Sequence, residues 1–166
     1  MAQPERGYIE TIEGRYKRIN FLFNPTEYSI SKQNQWSVSG AKRGRDVATL
    51  EFGGGQPKQI TLQLFFDAYE QEGGDVREYT DGLLKLMQID QTLKSSNPNS
   101  GKGQPPKCRL QWGRVWSFNC VIENMTQKFT LFRDDGRPVR ATVDLTLRQA
   151  EDENELPGQN PTTEGI

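Results

Sequence analysis

The stretch that most constrains this chain is Pro138 to Gln149, where Val139, Ala141, Val143, Leu145 and Leu147 alternate with Arg140, Thr142, Asp144, Thr146 and Arg148. A strict period of two, apolar on one side and polar on the other, is the pattern of a half-buried β-strand. Arg133-Asp134-Asp135-Gly136-Arg137 precedes it, with a glycine free to take positive φ and aspartates able to bond their own backbone. That turn predicts a hairpin with Met125 to Phe132. Further upstream, Trp116, Phe118, Cys120 and Ile122 alternate with Ser117, Asn119, Val121 and Glu123, and Gly113 joins this run to Cys108, Leu110 and Trp112. The expectation is an antiparallel meander with one apolar face.

Around this meander the remaining chain reads as material that completes a sheet. Gln59 to Phe66 alternates as a strand, with Ile60, Leu62, Leu64 and Phe66 inward and Thr61, Gln63 and Phe65 outward. Tyr16, Ile19, Phe21 and Phe23 begin a strand-like run that Asn24-Pro25 ends, because proline supplies no ladder donor. Tyr28 and Ile30 lead to Trp36 and Val38 as one bent strand or two short ones. Met1 to Glu13 reads as polar, and Ser39 to Phe52 as a charged loop closed by a flexible Gly53-Gly54-Gly55 hinge. That glycine run beside Lys58 lacks the Gly-Lys-Ser/Thr and helix of a phosphate-binding loop. One helix is expected, opened by Gly73-Gly74 with Asp75 as N-cap and Glu78 three residues on, and running to about Asp90. Val76, Tyr79, Leu83, Leu86 and Met87 would form its apolar face, with Gly82 a weak point. Gln91 to Pro106 reads as a long mobile loop. The organisation expected is an N-terminal extension at 1–14, a β domain at 15–150 and a flexible acidic, Pro/Gly-rich tail at 151–166.

Composition narrows the function. The 166 residues carry 21 Lys plus Arg against 22 Asp plus Glu, so no global basic field exists to attract nucleic acid or an anionic membrane. No apolar run approaches the roughly 20 residues that span a bilayer, and Met1 to Glu10 shows no apolar segment of a secretory signal. A soluble protein made in the cytoplasm is expected, with protein partners and no cofactor. The chain has no histidine, which removes imidazole bases, Ser-His-Asp and Cys-His catalysis and histidine-based zinc sites. Cys108 and Cys120, the only cysteines, lie on the apolar phase of their strands and read as small core residues. A carboxylate hydrolase using Asp67, Asp134 or Asp135 lacks a spacing that sets two carboxylates across a pocket.

Several fragments in order resemble the N-terminal, tube-type domain of contractile injection system baseplate proteins, relatives of phage tail tube and tube-initiator subunits. They are Phe23-Asn24-Pro25-Thr26-Glu27-Tyr28, Phe52-Gly53-Gly54, Leu64-Phe65-Phe66-Asp67, Leu110-Gln111-Trp112-Gly113, and above all Phe129 to Phe132 through Asp135 to Ala141. The resemblance covers residues 15 to 150. It implies a mainly β fold, a barrel or sandwich of antiparallel strands with one flanking α-helix, in a non-enzymatic subunit. It further implies a homo-hexameric ring that joins the inner tube protein to the spike and other baseplate proteins. Many relatives continue into a LysM domain, for which this sequence has no counterpart. Lys42, Arg43 and Arg45, with Arg133, Asp134, Asp135, Arg137 and Arg140, form two-sign patches suited to contacts between identical subunits, and equally to a solvated loop and hairpin tip. The alternative class is a small β-barrel that binds oligosaccharide or single-stranded nucleic acid through exposed aromatics such as Phe65, Trp36 and Trp116.

Overall fold

The computed structural model describes residues 5–39, 44, 47–99, 101–113 and 116–150. Along the chain run β1 (Tyr8–Thr11), β2 (Arg18–Asn20), β3 (Tyr28–Ser31), β4 (Asn34–Val38), β5 (Leu50–Gly55), β6 (Gln59–Asp67), α1 (Arg77–Lys85), β7 (Cys108–Trp112), β8 (Trp116–Phe132) and β9 (Pro138–Gln149). Seven strands form one sheet in the order β2-β1-β7-β8-β9-β6-β3, and β4 and β5 form a separate two-stranded sheet. Every pairing is antiparallel.

The alternations in β6 and β9 are realised as read. Ile60 pairs with Leu147, Leu62 with Leu145, Leu64 with Val143 and Phe66 with Ala141, so both apolar phases share one face. All eight are buried, in one core with Cys108, Leu110, Phe118 and Cys120. The sheet curls strongly around this core. The Tyr28 ring on β3 lies 5.7 Å from that of Trp112 on β7, although three strands separate β3 from β7 in the sheet order. Because β2 and β3 remain unpaired with each other, the result is mainly β and sandwich-like rather than a closed barrel.

The two runs expected upstream of the Gly136 turn are one strand of 17 residues. Ile122 opposes Leu147 but Asn124 opposes Thr146, so Glu123 is an extra residue, a β-bulge. The bulge reverses the phase: Phe118, Cys120 and Ile122 face the core before it, and Met125 and Phe129 pack against the core after it. This phase reversal is why one strand looks like two in the sequence.

Three expectations change. Within the segment read as polar, β1 inserts between β2 and β7 and buries Ile9 beside Leu110. Its Glu10, only 8% exposed, is held by the Arg18 Nε at 3.2 Å and the Tyr16 hydroxyl at 3.0 Å, so a carboxylate occupies a strand with little apolar pattern. The glycine hinge is instead the end of β5, with Gly53 as the unpaired residue between the Gln35–Gly54 and Trp36–Phe52 pairs. The helix has nine residues and stops at Lys85, because Leu86, Met87 and Gln88 turn through bonds to carbonyls three residues back. Val76 holds its N-cap position, while Asp75 accepts the Arg77 backbone N–H at 2.9 Å from one residue further out. Gly82 is a point of close approach: a Cβ there would sit 2.6 Å from Ile19 Cδ1 of β2. The helix closes one end of the core through Val76, Leu83 and Leu86, and Tyr79 stacks on Phe66 at 5.6 Å.

Candidate assembly surface

Two features at opposite ends of the sheet stand out. The first is the tip of the β8–β9 hairpin. Its turn closes through Arg133 N–H to Arg137 O at 2.8 Å, with Gly136 at φ 89° supplying the left-handed residue. The predicted charges gather here but mostly face inward to the loop after β6. Arg133 donates from Nε to Gly74 O at 3.0 Å and from Nη2 to Gln71 O at 2.9 Å and Ala68 O at 3.4 Å. Arg137 pairs with Asp135 at 2.6 Å and donates from Nη1 to Gly73 O at 3.1 Å. Arg140 pairs with Asp67 at 3.0 Å. Asp134 is exposed and forms no ion pair among the described residues.

Electrostatics bind the tip to the start of α1. The Arg77 side chain hydrogen-bonded to Asp75 holds that carboxyl down at about 2, with Arg137 adding to the effect. The Arg137 side chain likewise lowers Asp135. Beside these pairs, Tyr69, Leu131, Phe132 and Val139 line an open notch of about 430 Å³ together with the charged Arg133, Asp134 and Asp135. Leu131 adopts φ 57°, a left-handed conformation that costs a bulky side chain roughly 1–2 kcal/mol and leaves it part of an exposed apolar surface.

The second feature is the β4–β5 arm. Trp36 opposes Phe52 and Val38 opposes Leu50, so their four side chains make one apolar stripe, while Ser37 and Glu51 lie on the other side. Trp36 and Phe52 pack on each other at 5.3 Å. Nothing else covers the stripe among the described residues: Trp36 is 56% exposed and Leu50 and Phe52 are each 60% exposed. A lone two-stranded hairpin is marginal in water, and an apolar stripe this open marks a contact surface. Lys42, Arg43 and Arg45 lie between β4 and β5 in sequence and outside the described residues. Trp36 is legible in the sequence as an exposed aromatic on a strand, but its pairing with Phe52, at the end of what reads as a charged loop, is not, although apolar pairs flanking a Gly-containing centre are themselves a hairpin signal.

Elsewhere, a larger cleft of about 950 Å³ lies between the β1–β2 turn and the end of α1, near Arg15, Lys17, Lys85 and Asp90. The Asp90 carboxylate is already engaged by the Arg15 backbone N–H at 3.1 Å and the Thr92 backbone N–H at 2.9 Å. Asp67 accepts from Arg140 and the Tyr69 N–H, the geometry of a structural carboxylate. Phe65, exposed as read, packs against Phe23 at 5.6 Å. Cys108 and Cys120 oppose each other on β7 and β8, buried and unbridged, and burial pushes the Cys108 thiol up to about 12. No helix among the described residues is long and apolar enough to cross a membrane.

The surfaces described suit association: an uncovered apolar arm, a notched tip and, among the described residues, the open β2 and β3 edges of the seven-stranded sheet. Residues 8–157 match the family described as contractile injection system tube protein. No curated protein matches the chain.

Proposed function

Because the chain belongs to the contractile injection system tube protein family, we propose that it is a non-enzymatic structural subunit that closes into a ring of identical copies. In the particle this ring joins the inner tube protein to the spike and other baseplate proteins. The family resemblance supports a ring of six.

The observation that carries the assembly reading is the uncovered apolar stripe of the β4–β5 arm. Burying it against a neighbour removes apolar surface from water at about 25 cal/mol per Å². The open edges β2 and β3 add unpaired backbone groups on which a neighbouring copy can add strands. A head-to-tail contact between such different surfaces yields a closed ring or a tube according to its rotation. Assembly takes place in the cytoplasm, ahead of incorporation into the particle, and needs no cofactor.

The experiment is light scattering of the wild-type chain against the Trp36→Ser/Phe52→Ser double variant across micromolar concentrations. The expected result is assembly of the wild type and loss of assembly in the variant, with thermal unfolding of the seven-stranded body retained in both. A variant that assembles as well as the wild type would contradict the reading.

A further inference from the structure

We infer that the cleft between the β1–β2 turn and the end of α1 is a docking site for an acidic peptide segment of a partner protein, one that also carries an apolar side chain. None of the residues used belongs to the arm, the hairpin tip or the open β2 and β3 edges, so the inference stands apart from the ring reading.

The cleft, about 950 Å³, has the volume of a ligand site, and its walls are tied together without any ligand. The Arg15 N–H bond to Asp90, at 3.1 Å, fastens the turn after β1 to the segment after α1. Behind it the Asp90 N–H donates to Gln104 O at 3.0 Å and the Ile12 N–H to Lys107 O at 2.9 Å. A recess held open in this way needs little ordering on binding, which lowers the cost of association.

Charge selects the occupant. Arg15, Lys17 and Lys85 line the cleft against one carboxylate, that of Asp90. Both Asp90 oxygens already accept from the protein: the Thr92 hydroxyl, then the Arg15 and Thr92 N–H groups and the Arg15 charge, hold this carboxyl below its usual range. Lys17 and Lys85 form no ion pair among the described residues. The Lys17 stem lies over α1, its Cε 3.4 Å from where a Cβ on Gly82 would stand, which brings it alongside the last turn where Lys85 sits. Nearby acids are engaged elsewhere, Glu10 by Arg18 and the Tyr16 hydroxyl and Glu13 by the Lys107 N–H. The lining is therefore net positive. Among these cations stand Tyr16 and Ile89, 68% and 62% exposed, above the buried Leu86. Cations flanking exposed apolar walls complement an acidic segment that carries an apolar side chain. Nucleic acid is the poorer fit, because 21 Lys plus Arg against 22 Asp plus Glu provide no wider basic field.

The test titrates the full-length chain into a short fluorescein-labelled peptide of Glu with a single central Leu, followed by anisotropy. Binding in the micromolar range is expected, weakened at least about tenfold by the Lys17→Glu/Lys85→Glu double variant. Ile89→Ser, or a peptide with Ser in place of the Leu, should weaken it by about threefold or more. Lys128→Glu, at an exposed position of β8, should bind like the wild type. Circular dichroism checks the folding of each variant, and Lys85→Glu alone, at an exposed helix position, serves if the double variant does not fold. As a second readout, a carbodiimide should couple the peptide to Lys17 and Lys85. No binding at millimolar concentration, charge-reversed variants that bind like the wild type, or a Ser peptide that binds as tightly would each overturn the inference. So would coupling spread evenly over the exposed lysines, or a single-stranded oligonucleotide held as tightly as the peptide. All of these outcomes leave the ring reading standing.

Discussion

Arg133 offers a sharp test of how the hairpin tip is held. Its Nε bond to Gly74 O, at 3.0 Å, is partly buried, whereas the 2.9 Å bond to Gln71 O is exposed. The Gln71 carbonyl also accepts from Gly74 N–H and the Ala68 carbonyl from Gln71 N–H, so both keep partners when Arg133 is lost. Replacing Arg133 by Met keeps most of the aliphatic stem and removes every donor. A charge-assisted bond contributes about 1.5–3 kcal/mol, and water replaces the exposed one cheaply, so the expected loss is about 2 kcal/mol. In a domain of this size that lowers Tm by about 4–8 °C. Urea unfolding should show the midpoint falling at unchanged slope, and Arg133→Lys should recover less than half the loss, because an ammonium cannot reproduce the guanidinium fork. A loss below about 0.5 kcal/mol for Arg133→Met would refute the idea that this side chain fastens the hairpin to the loop after β6.

Two other outcomes follow from the same physics. Asp75 is held at about 2 against an ordinary 3.8, so its ion pair with Arg77 stabilises the fold above pH 4 and that contribution fades as pH falls toward 2; Asp75→Asn should show less acid destabilisation across this window, measured by thermal melts at stepped pH. Burial raises both thiols, Cys108 to about 12, so neither should react with a disulfide reagent at pH 8 in the native state and both should react in denaturant; fast native labelling would contradict their place in the core.

How far the sequence foretold the structure depends on which face decided each element. β6 and β9 were legible because each is buried on one side only, so the period of two is written directly in Ile60 to Phe66 and Val139 to Leu147. β8 was legible in halves, since the bulge at Glu123 switches phase without any turn residue to announce it. β1 was not legible: four residues carry too little pattern, and Glu10 is accommodated by Arg18 and Tyr16, which only the fold brings to it. The helix was overextended because Leu86 and Met87 keep the helical spacing after the backbone has left it, and Leu86 is still buried. At the candidate surface the charges of the hairpin tip were visible in sequence, but their pairing with Asp67 and the loop carbonyls depends on contacts across more than fifty positions. The notch has no sequence signal of its own, since Tyr69 and Leu131 meet only through the β6–β9–β8 order.

We propose a subunit that joins copies of itself into rings. Electron microscopy of the purified protein, alone and mixed with the inner tube protein of the same system, tests it most directly. Six-fold rings, free or capping tube ends, are the expected result. Dispersed monomers in both samples at micromolar concentration would contradict it.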